Sequence, residues 1–517
     1  MNDQNNTKKF FYKILVALYI NDLYTYFDYE YHEIGTICIV NFNNRKVIGV
    51  IFENNINDIN ENNSIKIKKI QEIFKNISNY TKEYLELIKK IAYFEIESPG
   101  FVLKTMISCI SSSLNFFLNP TKINKVINEI KKSNQNHDHI FNSVILNEFQ
   151  KNAYRELSDI IFQNTKIDNP ELELQNKLIQ QNIKNSEDKN DSFEPILNKT
   201  FLLEGETGSG KTEVYLDIIK DFLNNDKDAQ VLILLPEVAL TNAVIERIKL
   251  RLSNIEPFCF HHNISNIERR KIFLAASSGL GRIFVGARSA IFLPFKKLSL
   301  VIVDEEHDQS FKQEQGLIYH LNDIIFLRLN IEKTIKAIIF CSATPSLDII
   351  FFVKIKKIHR IFLGSKKNLD TRMNIEIIDM NNINNNESEY TIKKKSLNPI
   401  ICDRVMQKIK QNLDLGFQSM IFLNRRGYNH LIICKNCNNK IICPNCSIGL
   451  VYHKEIGKFY CHYCSFSKDS SKITCSNCLD NSKGFKFFGF GIEKIFEIIK
   501  ENFENSSCSL ISSDLLN

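Results

Sequence analysis

A chain of 517 residues exceeds the size at which one hydrophobic core stops growing, about 250 to 300 residues, so roughly three or more domains are expected. Its 44% hydrophobic and 24% charged residues are ordinary globular composition, and the heavy use of Asn, Ile, Lys and Phe without Trp looks like codon preference. A net charge of +7 permits nucleic-acid binding without demanding it. Lys13 breaks the N-terminal apolar stretch and no other run approaches about 18 apolar residues, so a soluble, cytoplasmic protein with no membrane association is expected.

Along the chain, short alternating segments punctuated by Gly35 and Gly49 between Tyr12 and Glu53 predict a small β-rich domain. Helical patterning follows from Tyr80 to about Lys131, and polar Asn134 to Ile140 reads as a boundary. From Leu146 apolar strand-like runs alternate with amphipathic helices, the pattern of an open parallel α/β sheet, interrupted by a polar insertion from Asn164 to Thr200. A second polar break, Met380 to Ser396, precedes a second α/β unit predicted to start with a helix, Ile400 to Leu413, and a strand, Met420 to Asn424. A cysteine-rich block, Cys434 to Cys478, then interrupts that unit.

The stretch FLLEGETGSGKTEVY contains Gly205-x4-Gly210-Lys211-Thr212 between a strand and a helix, the context a P-loop requires. Gly205, Glu206, Thr207, Gly208, Ser209 and Gly210 would form the backbone cradle for ATP phosphates. Lys211 would neutralise them, and the Thr212 hydroxyl would hold Mg²⁺. LVIVDEEHDQS ends a buried strand on carboxylates, where ligands of parallel sheets bind. Asp304 is expected to hold Mg²⁺ through water and Glu305 to polarise the attacking water. His307 reads equally as a surface histidine or a coupling residue.

Of 14 cysteines, eight form four C-x2-C pairs, Cys434 with Cys437, Cys443 with Cys446, Cys461 with Cys464 and Cys475 with Cys478. Such pairs in a reducing compartment suit two tetrahedral Zn²⁺ sites of four thiolates each, and exceed what a single redox dithiol needs. Spacing alone allows sequential pairing. Cys38, Cys109, Cys259, Cys341, Cys402 and Cys508 read as small core residues.

GETGSGKTEVY, LPEVALT, HHNIS followed by ER, VGARSAIFLPF, DEEHDQSFKQEQG, SATPSLD and FLNRRGY occur in order, with the cysteine pairs just after the last. Together they resemble the superfamily 2 helicases of the PriA family, the primosomal N′ proteins of replication restart. The resemblance implies an ATP-dependent 3′-to-5′ DNA helicase that recognises stalled or branched forks and nucleates primosome assembly. It also implies partners: forked and single-stranded DNA, a single-stranded-DNA-binding protein and helicase-loading proteins, with the chain itself a monomer. Gln150 matches the glutamine placed near adenine. Thr241, Arg288 and Ser289 match DNA-backbone contacts, while Ser342 and Thr344 belong to the motif that couples nucleotide state to lobe movement. In this pattern the outer pairs (Cys434, Cys437, Cys475, Cys478) close one zinc site and the inner pairs (Cys443, Cys446, Cys461, Cys464) the other. Lys435, Lys440, Lys454 and Lys458 read as DNA-binding or as plain solvated lysines.

The implied fold is α/β, with two RecA-like parallel-sheet lobes, the second incomplete. Its parts would be a β-rich 3′-end DNA-binding domain at 1–100, a short winged-helix-like or helical linker at 101–145, an ATP-binding lobe at 146–365, and a second lobe at 366–432 and 481–517 around a zinc module at 433–480. The sequence departs from the family pattern where LIYHLND lacks arginines beside Tyr319 and His320, and where prolines near Gly35 and Phe42 are missing. It also ends in CSLISSDLLN, before the Arg-Asp pair, the DNA-gripping motif and the arginine-finger motif. The chain alone is therefore expected to be a weak or inactive helicase. The alternative is a zinc-stabilised DNA-binding or primosome scaffold without its own motor.

Overall fold

The computed structural model describes residues 8–54, 67–134, 144–162, 199–236, 242–251, 255–364, 374–378, 401–423, 431–437, 439–453, 457–461, 463–464, 466–469, 473–475, 477–478, 484–488 and 492–511. It divides into two units, Met1–Thr371 and Arg372–Asn517. Thr241, Lys454, the Glu237–Thr241 part of LPEVALT and the NRRGY part of FLNRRGY lie outside the described residues.

The first unit opens with a six-stranded sheet. Its strands are β1 (Phe10–Val16), β2 (Tyr24–Asp28), β3 (Ile37–Phe42), β4 (Arg45–Asn54), β5 (Lys68–Lys69) and β6 (Glu72–Ile73), in the order β5-β2-β1-β4-β3-β6. β3 and β4 pair from Phe42↔Arg45 outward, leaving Asn43 and Asn44 as a two-residue turn with φ of 46° and 60°. Asparagine tolerates this left-handed backbone, which matches the twist of the flanking strands. Gly35, at φ 86°, is required sterically, because a Cβ there would stand 1.9 Å from the Tyr80 carbonyl oxygen.

Residues 82–134 are helix and turn. α1 (Lys82–Phe94) is capped by Thr81 and α2 (Pro99–Met106) by Ser98; two single turns then lead to α3 (Pro120–Asn134). The buried face of α1, Leu87, Ile88 and Ile91, shares one core with Leu15, Ile39 and Val50 of the sheet and with Ile324 and Ile325 further along the chain.

The other half of the unit is a parallel sheet of seven strands. They are β7 (Thr200–Gly205), β8 (Gln230–Leu234), β9 (Phe258–Phe260), β10 (Ile283–Gly286), β11 (Leu298–Asp304), β14 (Ala337–Ser342) and β15 (His359–Leu363), in the order β15-β7-β14-β11-β8-β10-β9. A two-stranded hairpin, β12 (Lys312–Gln313) with β13 (Tyr319–His320), lies between β11 and β14 in sequence. Such strands are buried on both faces, which is why VLIL and LVIV read as unbroken apolar runs. Alternate residues feed two cores. Leu203, Ile233 and Ile302 face α4 (Glu148–Phe162) and α5 (Lys211–Asn225), which contribute Leu157 and Ile218. Leu202, Leu232 and Val303 face α7 (Asn266–Ser278) and α8 (Leu321–Ile331), which contribute Phe273 and Ile325. Two shorter helices complete the lobe, α6 (Asn242–Arg251) and α9 (Leu347–Lys354). No helix among the described residues is long and apolar enough to cross a membrane.

In the second unit α10 (Asp403–Asp414) and α11 (Ile492–Asn502) pack through Ile409, Ile495 and Ile499. β16 (Leu431–Cys434) pairs antiparallel with β20 (Phe485–Phe488), and β17 (Val451–His453), β18 (Lys458–Tyr460) and β19 (Ser467–Asp469) form a meander. The strand expected at Met420 is not formed over its described part, 420–423, where Met420 is 90% and Phe422 79% exposed. An apolar run becomes a strand only beside a partner, and no described strand pairs with it.

Candidate nucleotide site and zinc centres

The carboxyl ends of β7, β14 and β11 lie side by side in that order, so Gly205, Ser342 and Asp304 converge on one edge of the sheet. After β7 the chain turns through Glu206 to Gly210, with Gly208 at φ 79° and Gly210 at φ 89°, and α5 starts at Lys211. Only glycine holds these left-handed positions without strain. The loop thus wraps the helix N-terminus, where free N–H groups and the helix dipole favour an anion.

Lys211 is 6% exposed, and its Nζ donates to the carbonyl oxygens of Gly205 at 2.8 Å and Glu206 at 3.2 Å. No carboxylate lies within ion-pair distance of it among the described residues. A buried cation held only by loop carbonyls at a helix N-terminus fits the polyphosphate of a nucleotide as its counter-ion. Thr212 follows on the first turn, half-buried. Gln150 donates through Nε2 to the Ser209 carbonyl at 3.2 Å, and a Cβ on Gly210 would meet that nitrogen at 2.1 Å. Gln150 is locked there by reciprocal bonds with Asn147, each backbone N–H donating to the other side chain.

Asp304 ends β11 and accepts from the Tyr215 hydroxyl at 3.0 Å. Burial raises its carboxyl above the ordinary range, and the Tyr215 bond opposes that shift. Glu305 turns out of the strand at φ 51° and is partly exposed. His307 places Nδ1 2.8 Å from the Ser342 hydroxyl and 3.7 Å from the Glu305 carboxylate. The Ser342 hydroxyl in turn accepts from the Thr344 N–H at 3.0 Å. The structure therefore brings together Gln150, the loop from Gly205 to Thr212, Asp304, Glu305, His307, Ser342 and Thr344.

Arg288 and Ser289 lie apart, on a short 3-10 turn, Arg288–Phe292. Ser289 is exposed, but the Arg288 guanidinium donates to Gln313 Oε1 at 2.8 Å, to the Lys312 carbonyl at 3.2 Å and to the Ser310 carbonyl. In this conformation it anchors the β12–β13 hairpin. His320 caps α8, and Tyr319 packs edge-on against Phe292, so the Tyr-His pair is structural within that hairpin.

Sequence reasoning missed four residues. Tyr215 sits in an apolar run that reads as core. Glu306 lacks any signal separating it from Glu305. Arg328, alone in the apolar stretch IIFLRLNI with Glu332 four residues on, carried the signature of a buried ion pair. Tyr84, on α1, donates its hydroxyl to the Phe292 carbonyl and so joins the N-terminal part to the turn that starts with Arg288.

On the N-terminal sheet, Phe27, Asn41, Lys46, Lys68 and Lys69 line an open groove. Lys69 stands 5.0 Å from the Tyr29 ring and Lys9 5.1 Å from the Phe27 ring. Beside it, burial pushes the Asp28 carboxyl up, but the hydrogen bond with His32 at 2.9 Å, the Tyr29 N–H and the charges of His32 and Lys69 together hold it below the usual range.

In the second unit the eight paired cysteines form two groups, Cys434, Cys437, Cys475 and Cys478, and Cys443, Cys446, Cys461 and Cys464, each with its sulfurs within 4.8 Å of one another. The shortest contacts, 3.4 Å for Cys437 to Cys475, for Cys443 to Cys464 and for Cys446 to Cys461, run between pairs. The inner site is nested in the outer, and the sequential arrangement is excluded by distance. The backbone N–H groups of Asn439 beside Cys437 and of Cys464 beside Cys461 are the first cause holding both thiols down at about 6, whereas Cys446 and Cys464 of the inner group are raised. Four thiolate sulfurs on a zinc ion leave a net charge of about −2 per site. Lys435, Lys440 and Lys458 are exposed, and Lys458 Nζ stands 3.9 Å from the Asp469 carboxylate. The residues fit zinc, and the module binds it.

Three family profiles match: "DEAD/DEAH box helicase" at residues 186–350, "3'DNA-binding domain (3'BD)" of PriA at 13–108, and "PriA DNA helicase Cys-rich region (CRR) domain" at 443–468. The replication restart protein PriA of Rickettsia conorii is 33% identical over 484 residues, covering 93% of this chain and 63% of the relative. Over nearly its whole length the chain is similar to PriA proteins. PriA of Haemophilus influenzae is 33% identical, covering 61% of this chain and 40% of the relative, and PriA of Bacillus subtilis is 32% identical, covering 59% and 37%. The chain thus spans 63% of the length of the Rickettsia PriA and less of the others. The solved DUF1998 helicase MrfA bound to DNA and AMPPNP aligns at a TM-score of 0.26 and 15% identity, over 47% of this chain and 34% of that one, too loosely to add to the fold already described.

Proposed function

We propose that the chain is an ATP-dependent DNA-tracking protein of replication restart, acting 3′ to 5′ on stalled or branched forks and nucleating assembly of a primosome. The observation that carries this reading is physical continuity within one unit. The β-rich part that matches a 3′ DNA-binding domain shares a core with the P-loop lobe, and Tyr84 bonds directly to the carbonyl of Phe292. The groove of aromatics and lysines on its sheet suits an unpaired nucleic-acid end, since bases stack on rings while ammonium groups meet phosphates.

ATP with Mg²⁺, when bound, would supply the phosphoanhydride and a metal charge. Lys211 and the loop N–H groups would bind the phosphates, Thr212 and Asp304 would hold the metal, and Glu305 would orient the attacking water. Gln150, fixed on the loop at Ser209, positions the base. His307, bonded to Ser342 while close to Glu305, ties the water-orienting carboxylate to the Ser342–Thr344 turn, which relays nucleotide state. Zinc keeps the cysteine module folded.

The test is ATP hydrolysis by the chain with forked DNA, blunt duplex or RNA added, together with binding of each. Stimulation by forked DNA over the other two supports the proposal. Tight DNA binding with no hydrolysis under any condition would instead favour the zinc-stabilised scaffold, and preference for RNA would overturn both.

A further inference from the structure

Tyr215 lies one helical turn after Thr212 on α5, is fully buried, and reaches across to the end of β11. Its hydroxyl donates to Asp304 Oδ2 at 3.0 Å. The phenol's one proton is thereby committed to the carboxylate, which keeps lone pairs free for a metal. Asp304 is one of the two residues that the nucleotide reading assigns to Mg²⁺, and Tyr215 stands on the P-loop helix that carries the other, Thr212.

We propose that Tyr215 is a positioning residue for the metal. By tying the Asp304 carboxylate to the P-loop helix it fixes that oxygen's position before the nucleotide arrives. The inference rests on the nucleotide-site reading above and deepens it. Buried at 0% exposure with neighbours from α5, β11 and β14, the ring cannot swing away without opening the core. The Asp304 rotamer is therefore set by the protein, and the metal would meet a prepared carboxylate instead of ordering one. Without the hydroxyl, Asp304 keeps its other bond, from the Glu305 N–H to Oδ1 at 3.1 Å, but loses the link to α5.

Tyr215→Phe removes one oxygen and keeps the ring, so packing should survive. A fluorescent ATP analogue is titrated into wild-type chain, Tyr215→Phe and Lys211→Ala, first in EDTA and then over rising Mg²⁺. The expected result for Tyr215→Phe is unchanged affinity in EDTA and a Mg²⁺ midpoint raised about tenfold, the size expected for one hydrogen bond to a charged group. Lys211→Ala should lose affinity under both conditions. Equal Mg²⁺ midpoints for wild type and Tyr215→Phe would overturn the positioning role alone. So would an equal loss with and without Mg²⁺, which is the mark of a merely structural tyrosine. Should the wild-type chain bind the analogue without any Mg²⁺ dependence, or Lys211→Ala bind as well as wild type, the nucleotide reading fails and this inference with it.

Discussion

Glu306 and Ser346 are clasped twice, the Ser346 hydroxyl donating to Oε1 at 2.6 Å and its N–H to Oε2 at 3.1 Å. The same carboxylate accepts from Asn322 Nδ2 at 2.9 Å, and Glu306 is 2% exposed. One side chain therefore fastens the DEEH segment to the SATPS turn and to the start of α8. Glu306→Ala would leave three buried donors unpaired and should destabilise the first unit by about 3 kcal/mol. Glu306→Gln, which keeps one acceptor oxygen but brings an amide against donors, should fall between the two. Denaturant unfolding, followed by a probe in the parallel-sheet lobe, checks both values.

The zinc module should depend on its metal for folding. Its core is nine residues, four of them ligand cysteines, which is too little apolar area to order the chain alone. Elemental analysis should find about two zinc ions per chain, one for each set of four thiolates. Chelation, or Cys443→Ser, should make the 431–478 region sensitive to protease while the P-loop lobe keeps its thermal transition, since that lobe lies in the other unit and has its own core.

How much of this was legible beforehand follows from the kind of signal each residue carries. The P-loop and the C-x2-C pairs are read locally, because glycine torsions and thiolate spacing fix their chemistry within a dozen residues. The seven parallel strands show as unbroken apolar runs because both faces are covered. Arg288 could not be assigned in the same way. As a surface arginine it reads as a phosphate contact, and only the return of the β12–β13 hairpin, 25 residues later, shows its guanidinium spent on Gln313 and backbone carbonyls. Glu306, Tyr215 and Tyr84 likewise gain their meaning from partners 40, 89 and 208 residues away. Met420–Leu423 had the composition of a strand and lacked the neighbour that makes one.

Stability should fall with rising pH through one carboxyl at the end of α1. Burial first, and then the charge of Asp323, raise Glu95 from 4.5 to about 7. In the unfolded chain it titrates at the lower value, so between 4.5 and about 7 the folded state holds more proton and gains over the unfolded one toward low pH. That contribution is fully present below the unfolded value and is lost as pH rises through about 7. Thermal transitions of wild type and Glu95→Gln, compared from pH 5 to pH 8, should converge at the acid end and separate at the basic end, with the variant the more stable there.

Arg328 should be the residue of α8 least tolerant of change. It is 1% exposed, and its Nε and Nη2 bind both oxygens of Glu332, at 2.7 and 3.0 Å. Its Nη1 donates to the carbonyls of Ile291 and Leu293, the latter at 3.3 Å, on either side of the Phe292 carbonyl that Tyr84 takes. Arg328→Ala would strand the Glu332 carboxylate, free the turn behind Arg288, and cost about 3 to 5 kcal/mol, as when one partner of a buried pair is lost. Arg328→Lys should rescue little, because one ammonium cannot reproduce a planar fork that reaches a carboxylate and two carbonyls together. Removing both partners, as Arg328→Met with Glu332→Leu, should recover more stability than either single change, since no buried charge is then left unpaired. The recovered protein should still have a loosened 288–293 turn, visible as faster backbone hydrogen exchange there. Equal stability of Arg328→Lys and wild type would show that charge alone, without the fork, holds this turn.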